Sequence, residues 1–149
     1  MTPFTRAREL AFTLHDVARM LRTYADQRAR EVHMTRAQWA VLVKLQRAQG
    51  VKQCELADSL EIAPITLARL VDKLTASGLV ERRDDATDRR ANRLFLTADA
   101  APTLQKLGDL GEAVMARALA GLDEAAIAGL TAGLQRIKTN LKHELNGGV

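Results

Sequence analysis

The segment from residue 53 to residue 97, QCELADSLEIAPITLARLVDKLTASGLVERRDDATDRRANRLFLT, constrains the fold more than any other part of the chain. It begins with two short stretches that carry apolar residues at helical spacing and are separated by a tight turn. Gly78 stops the second stretch, because glycine readily adopts the left-handed conformation that ends helices. Two short apolar strands then flank a charged loop, so the segment predicts a helix, a turn, a helix and a hairpin.

Apolar spacing extends this pattern over the whole chain. Helices are predicted over about residues 4–32, 36–48, 53–59, 64–76, 98–120 and 124–145, and strands over about residues 80–83 and 93–96. Thr35 and Gln38 form the pattern of a capping box for the second helix, and Thr97 and Asp123 are expected to cap the last two. The sequence therefore predicts a mainly α fold with a small two-stranded β-wing, arranged as one compact domain.

The basic residues are unevenly distributed along the chain. The net charge is +4, but residues 1–93 hold 17 Lys and Arg against 12 Asp and Glu, a net of +5. Residues 94–149 hold 5 against 6, a net of −1. A side that faces DNA and a separate side for assembly would produce this distribution.

The helix predicted over residues 64–76 has two different faces. Its apolar face, expected in the core, consists of Leu67, Leu70, Val71 and Leu74. Its polar face carries Thr66, Arg69 and Lys73. Arginine and lysine reach guanine edges or phosphates, and threonine can contact a thymine methyl group or a phosphate. The alternative interpretation is a solvated helix surface on which Arg69 pairs with Asp72.

The loop between the two predicted strands is dense in charge of both signs. Its charged residues and their neighbours are Arg82, Arg83, Asp84, Asp85, Asp88, Arg89, Arg90 and Arg93. We expect Asp88 to orient one arginine while Arg89 and Arg90 engage the minor groove or the backbone, because a carboxylate holds guanidinium in a fixed fork. Further candidates for phosphate contact are Arg36, Gln53, Arg83 and Arg93. The alternative is an exposed hairpin whose charge pairs serve solubility.

Residues 34–97 resemble the winged helix-turn-helix domain of the MarR family of bacterial transcription regulators. The matching pieces are MTRAQWAVLVKL, ELADSL, PITLARLVDKLTASGLVERR and DATDRRANRLFLT, of which Asp88-Arg89-Arg90 is the most specific. The resemblance implies that the helix over residues 64–76 is the recognition helix, with Arg69 contacting a base or phosphate. It also implies that Arg90 is the wing-tip arginine, supported by Asp88. Ala63 departs from the family pattern, since alanine cannot cap the helix that follows.

The resemblance further implies a homodimer whose long terminal helices, residues 1–33 and 98–149, flank the DNA-binding domain of residues 34–97. Apolar stripes at helical spacing agree with such an interface, and they consist of Leu10, Leu14, Val17, Ile127, Leu130, Leu134, Ile137 and Leu141. The alternative is packing onto the chain's own core. Two-fold symmetry would place the recognition helices roughly 34–36 Å apart on a pseudo-palindromic site.

Regulation by a small aromatic or phenolic effector is also implied by the resemblance. Candidate residues for lining its cleft are His15, Tyr24, Met34 and Trp39, each of which is equally plausible as part of the core. Cys54 is the single cysteine and is interpreted as a small, half-buried side chain. The alternative is a redox-responsive regulator that uses this thiol.

Several other classes of protein are disfavoured. The histidines are dispersed and no glycine-rich phosphate loop is present, so neither an enzyme nor a metal or cofactor site is expected. No apolar run approaches the roughly 18 residues of a membrane span, and no signal peptide is recognisable. We therefore expect a cytoplasmic homodimer that binds double-stranded DNA and acts as a repressor. The rival hypothesis is a winged-helix module for protein–protein interaction.

Overall fold

The structure is a computed structural model that describes residues 2–147 of the 149-residue chain. Its helices are α1 (Pro3–Arg30), α2 (Arg36–Arg47), α3 (Gln53–Ser59), α4 (Pro64–Ala76), α5 (Ala101–Ala118) and α6 (Glu124–Leu145). Its strands are β1 (Val51–Lys52), β2 (Val80–Asp84) and β3 (Asn92–Leu96). The predicted fold class, mainly helical with a small β-wing, is confirmed.

The chain divides into two compact units, Met1–Val114 and Met115–Val149, and each is described by itself. Within the first unit, one hydrophobic cluster joins α2, α3, α4 and the sheet. Its fully buried members include Leu42, Leu45, Leu56, Leu67, Leu74 and Leu94. Each such side chain contributes on the order of 1.5–3 kcal/mol relative to an exposed one, so the cluster fixes α3 and α4 against α2.

Most helix boundaries follow the capping signals in the sequence. Thr35 Oγ1 accepts from the Gln38 N–H at 3.1 Å and Gln38 Oε1 accepts from the Thr35 N–H at 2.9 Å, which confirms the capping box. The Asp123 carboxylate likewise accepts from the Ala126 N–H at 2.8 Å. The prediction that Thr97 caps the fifth helix is wrong. Its hydroxyl donates to the Gly78 carbonyl at 2.5 Å, and a short 3₁₀ turn precedes α5.

The sheet contains a third strand that the sequence pattern does not predict. The strand order is β1-β3-β2, all antiparallel, and Val51 lies opposite Leu94. Two residues are too few to show an alternating pattern, which explains why β1 is invisible in the sequence. Gly50, just before β1, has a φ of +76°, and a Cβ there would lie 3.0 Å from the Phe95 ring. Both facts favour glycine at this position.

Arg82 on β2 contacts both α3 and α4. Its Nε donates to Gln53 Oε1 on α3 at 3.1 Å. Its Nη2 donates to the Ala68 carbonyl at 3.3 Å and lies 2.7 Å from Asp72 Oδ1, both on α4. One partly buried guanidinium therefore sets the position of β2 relative to two helices.

We predict that Arg82→Ala lowers the free energy of unfolding by roughly 1–3 kcal/mol, because hydrogen bonds of a charged group to three partners are lost. Urea unfolding at a fixed protein concentration measures the change. Arg89→Ala is the matched control, since Arg89 is exposed in the wing loop (residues 85–91, between β2 and β3) and forms no ion pair with the described residues. Equal stabilities of the two variants would contradict the assigned role of Arg82.

Candidate nucleic-acid interface

The polar face of α4 is open to solvent. Thr66, Arg69 and Lys73 are exposed, whereas Leu67 and Val71 are fully buried on the opposite face. The alternative pairing of Asp72 with Arg69 is wrong, because Asp72 binds Arg82 instead. Among the described residues, Arg69 and Lys73 form no ion pair. Their positive charges are therefore available to a partner outside the chain.

The start of α4 carries few polar side chains. Ala63 occupies the N-cap position with extended backbone and makes no side-chain cap hydrogen bond, as its residue type implies. Pro64 follows at the first helical position and has no N–H to satisfy. The first turn of the helix is consequently lined by small or apolar groups, with Thr66 as the first polar side chain.

A buried carboxylate organises the wing loop. Asp85 Oδ1 accepts from the N–H and hydroxyl of Thr87 at 2.9 and 2.7 Å, and from the Asp88 N–H at 3.1 Å. Its Oδ2 accepts from Arg93 Nε at 2.5 Å, and Arg93 Nη1 donates to the Gly50 carbonyl at 2.7 Å. The Thr87 hydrogen bonds, helped by Arg93 and opposed by desolvation, hold the pKa of Asp85 well below its usual range.

Asp88 has a different role from the one predicted. We expected its carboxylate to orient an arginine side chain, but Asp88 Oδ1 accepts from the backbone N–H of Arg90 at 3.0 Å. The carboxylate that holds a guanidinium is that of Asp85, which the prediction passed over. Both aspartates accept from the backbone N–H two residues on, as aspartate often does in turns, so this local pattern does not single out Asp85.

The wing tip carries two exposed arginines, Arg89 and Arg90. Neither forms an ion pair with any residue in the described range 2–147. Because Asp88 fixes the backbone at Arg90, the loop is held while its side chains project outward. The wing therefore presents positive charge on a defined turn.

The other four candidates for phosphate contact all have partners within the chain. The pairs are Arg36 Nε with Asp26 Oδ1 at 3.1 Å, Gln53 with Arg82, Arg83 Nε with Glu81 Oε1 at 2.8 Å, and Arg93 with Asp85. Arg83 also stacks on the Phe95 ring, 4.1 Å from its centroid. Guanidinium has five N–H donors, so these arginines retain some donors for a phosphate. Their contact with DNA stays a prediction.

A cleft of about 300 Å³ lies between the starts of α3 and α4 and the wing loop. Gln53 and Cys54 line one side, Pro64 another, and Asp88 and Arg90 a third. Arg90 is thereby placed beside the start of the candidate recognition helix.

Cys54 is exposed, so its interpretation as a half-buried side chain is wrong.

The effector candidates occupy different environments. Trp39 lines an open, almost entirely apolar groove of about 320 Å³ along α2, bordered by Arg36 and Lys44. Met34 is buried in the core, Tyr24 is half-buried, and His15 is exposed on α1. Among the described residues, Trp39 thus lies at a groove with room for a small ligand.

The predicted dimerisation residues are exposed or partly exposed within each unit. On α1, Leu10, Leu14 and Val17 are 56%, 38% and 46% exposed. On α6, Leu130, Leu134 and Leu141 are exposed, and Ile127 and Ile137 are partly exposed. No described residue of α6 is buried.

No helix within residues 2–147 has the length and apolar character needed to cross a membrane.

The Asp85 cluster predicts a pH dependence of stability. The pKa of the Asp85 carboxyl is lowered in the folded state. The ionised carboxylate therefore stabilises the fold above about pH 4, and this contribution is lost as the pH falls. Asp85→Asn should unfold at a lower temperature than the parent at neutral pH, and the difference should narrow between about pH 5 and pH 2. Thermal unfolding followed by circular dichroism measures both. Parallel pH profiles for parent and variant would refute the prediction, and Asp84→Asn, an exposed neighbour, is the control.

The chain is similar to known proteins over almost its full length. Residues 34–91 match the MarR family. The transcriptional regulator PA3341 is 34% identical, with a TM-score of 0.78 over 90% of this chain and 98% of that one. A MarR transcriptional regulator from Methanosarcina mazei Go1 is 24% identical, with a TM-score of 0.80 over 89% and 96%. A mutant MarR from E. coli complexed with operator DNA is 23% identical, with a TM-score of 0.76 over 92% and 99%.

The similarities to the Methanosarcina and E. coli proteins, both under 25% identical, concern the fold alone. The family match covers α2, α3, α4 and the wing up to residue 91, where the exposed cations lie. Together with the 34% identity to PA3341 along nearly all of both chains, this match establishes the relationship. The chain belongs to the MarR family of transcriptional regulators.

Proposed function

We propose that the protein is a homodimeric repressor that binds a pseudo-palindromic operator and excludes RNA polymerase by occupying a promoter. One observation carries this proposal. Of the cations considered for DNA contact, four form no ion pair with the described residues, and all four are exposed. They are Arg69 and Lys73 on α4, and Arg89 and Arg90 at the wing tip. A helix fits the major groove and an arginine-tipped loop fits the minor groove.

The proposed division of labour follows from these positions. Thr66, Arg69 and Lys73 read the major groove, and Arg89 and Arg90 engage the minor groove or the backbone, with Asp88 fixing the loop between them. Arg36, Gln53, Arg83 and Arg93 contribute phosphate contacts through the donors that their internal partners leave available. The E. coli MarR relative was crystallised with operator DNA, which supports duplex DNA as the partner here.

A second copy of the chain is the proposed cover for the exposed leucines, valine and isoleucines of α1 and α6. Residues 1–33 and 98–149 would form the dimer, and residues 34–97 would bind DNA. Contiguous apolar surface is unusual on a monomer and typical of an interface. A two-fold axis would present two copies of α4 to successive turns of one DNA face.

The groove beside Trp39 supports the proposal of a small aromatic or phenolic acid as effector. Its apolar walls suit a ring, while Arg36 and Lys44 at its border suit a carboxylate. Arg36 is already paired with Asp26, so a bound acid would compete with that carboxylate. In this scheme the effector binds more tightly to a form of the dimer in which the distance between the two recognition helices does not match one turn of DNA.

Selection from random double-stranded DNA with the purified chain tests the proposed function. We expect enrichment of an inverted repeat whose half-site centres are about 10 base pairs apart, because that spacing is one helical turn. Repeating the selection with a panel of aromatic acids tests for an effector. Absence of any enriched sequence would contradict the proposal and favour a protein–protein interaction module.

Arg69→Ala should weaken operator binding by roughly 1–3 kcal/mol and relax sequence preference at one position of each half-site. The reason is that a guanidinium bound to a guanine edge discriminates between bases. Fluorescence anisotropy with the selected operator and its single-position variants measures both effects. Arg117→Ala, an exposed arginine on α5, is the control. Unchanged affinity of Arg69→Ala would remove this residue from the recognition surface.

Arg90→Ala should weaken binding to all sequences by a similar factor. The slope of log K against log salt should fall by about one per subunit, because one phosphate-region cation is lost. Binding measured across a salt series gives the slope, and sedimentation verifies that the variant remains a dimer. An unchanged slope, or a variant that is monomeric, would show that Arg90 is misassigned.

A further inference from the structure

Ile65, the second residue of α4, is 62% exposed. Between residues 21 and 114, all of which the structure describes, no other large apolar side chain is classed as exposed. The others lie on α1, at the end of α5 and beyond it, where an apolar interface is already proposed. Ile65 therefore stands apart as an exposed apolar group within the DNA-binding part of the molecule.

Helical geometry places Ile65 on the same face as Arg69. At about 100° per residue, Arg69 lies roughly 40° and Lys73 roughly 80° around the helix from Ile65. Leu67 and Val71, both fully buried, lie on the opposite side. Ile65 thus points away from the core and along the surface that Arg69 and Lys73 share.

The stability of the fold does not account for isoleucine at this position. The side chain buries little area, so its contribution to the core is small. Isoleucine is also a weaker helix former than the unbranched residues, because its χ1 rotation is restricted in a helix. The adjoining Ala63 and Pro64 are apolar and exposed as well, which extends a small apolar surface at the start of α4.

We propose that Ile65 is a specificity-determining residue that packs against the C5 methyl group of a thymine in the major groove. This inference rests on the proposed function. The thymine methyl is the apolar group that the major groove presents, and apolar side chains are its natural partners. Ile65 and Arg69 lie about 6 Å apart along one face of the helix, so both side chains can reach bases of the same half-site.

Replacing thymine by deoxyuridine removes the methyl group and leaves the pairing edge unchanged. We would substitute each thymine of the selected operator in turn, symmetrically in both half-sites, and measure affinity by anisotropy for the parent, Ile65→Ala, Thr66→Ala and Lys73→Ala. The parent should lose affinity about 4-fold per half-site at one thymine position, which corresponds to about 0.8 kcal/mol for one buried methyl-sized group. Ile65→Ala should bind thymine and deoxyuridine operators equally well there.

Thr66→Ala and Lys73→Ala should retain the preference for thymine, although their overall affinities fall. Retention of the full preference by Ile65→Ala, or its loss in Thr66→Ala alone, would overturn the assignment to Ile65. A parent protein that binds all deoxyuridine operators as tightly as the original would overturn the inference and leave the proposed function intact. Failure to bind any selected DNA would overturn both. Ile65→Ala should fold normally, since the residue is exposed, and circular dichroism verifies this.

Discussion

The arrangement of the candidate nucleic-acid interface depends on the hydrogen bonds and ion pair of Arg82, which connect β2 to α3 and α4. The wing follows α4 directly after the turn at Gly78, and Leu79 and Val80 pack in the same core as α4. Arg82 adds polar contacts to this packing: it binds the middle of α4 through Ala68 and Asp72, and the start of α3 through Gln53. Because the guanidinium is planar and rigid, three partners at its edges restrict both distance and rotation.

The arginines of this region differ in how far their donors are used inside the chain. Arg82 binds groups on α3 and α4, Arg93 joins Asp85 to the Gly50 carbonyl, and Arg83 pairs with Glu81 on its own strand. Arg89 and Arg90 are exposed at the wing tip. Ordering the loop before a ligand arrives reduces the conformational entropy lost on binding. The nearly balanced charge of the loop thus reflects cations paired inside the chain, beside two at the tip that form no ion pair with the described residues.

The sequence predicts the helices well and the loop chemistry poorly, for a physical reason. Helical periodicity and capping residues act locally, so α3 and α4 end where their own residues dictate. The choice between Asp85 and Asp88 depends on which carboxylate turns inward beneath the hairpin, and that depends on the register of β2 and β3. Strand β1 depends on pairing with a segment more than forty residues away. The internal partners of Arg36, Arg83 and Gln53 are likewise tertiary contacts, which residue types alone do not specify.

The connection between α2 and β1 is bound directly to the central strand of the sheet. Gln49 Oε1 accepts from the Leu96 N–H at 2.9 Å, and the Gly50 N–H donates to the Leu94 carbonyl at 2.8 Å. The Gly50 carbonyl in turn receives Arg93, which holds Asp85. The C-terminal end of α2 is therefore connected to the root of the wing by short, directional bonds. The helix that borders the Trp39 groove thus belongs to the same hydrogen-bonded network as the hairpin.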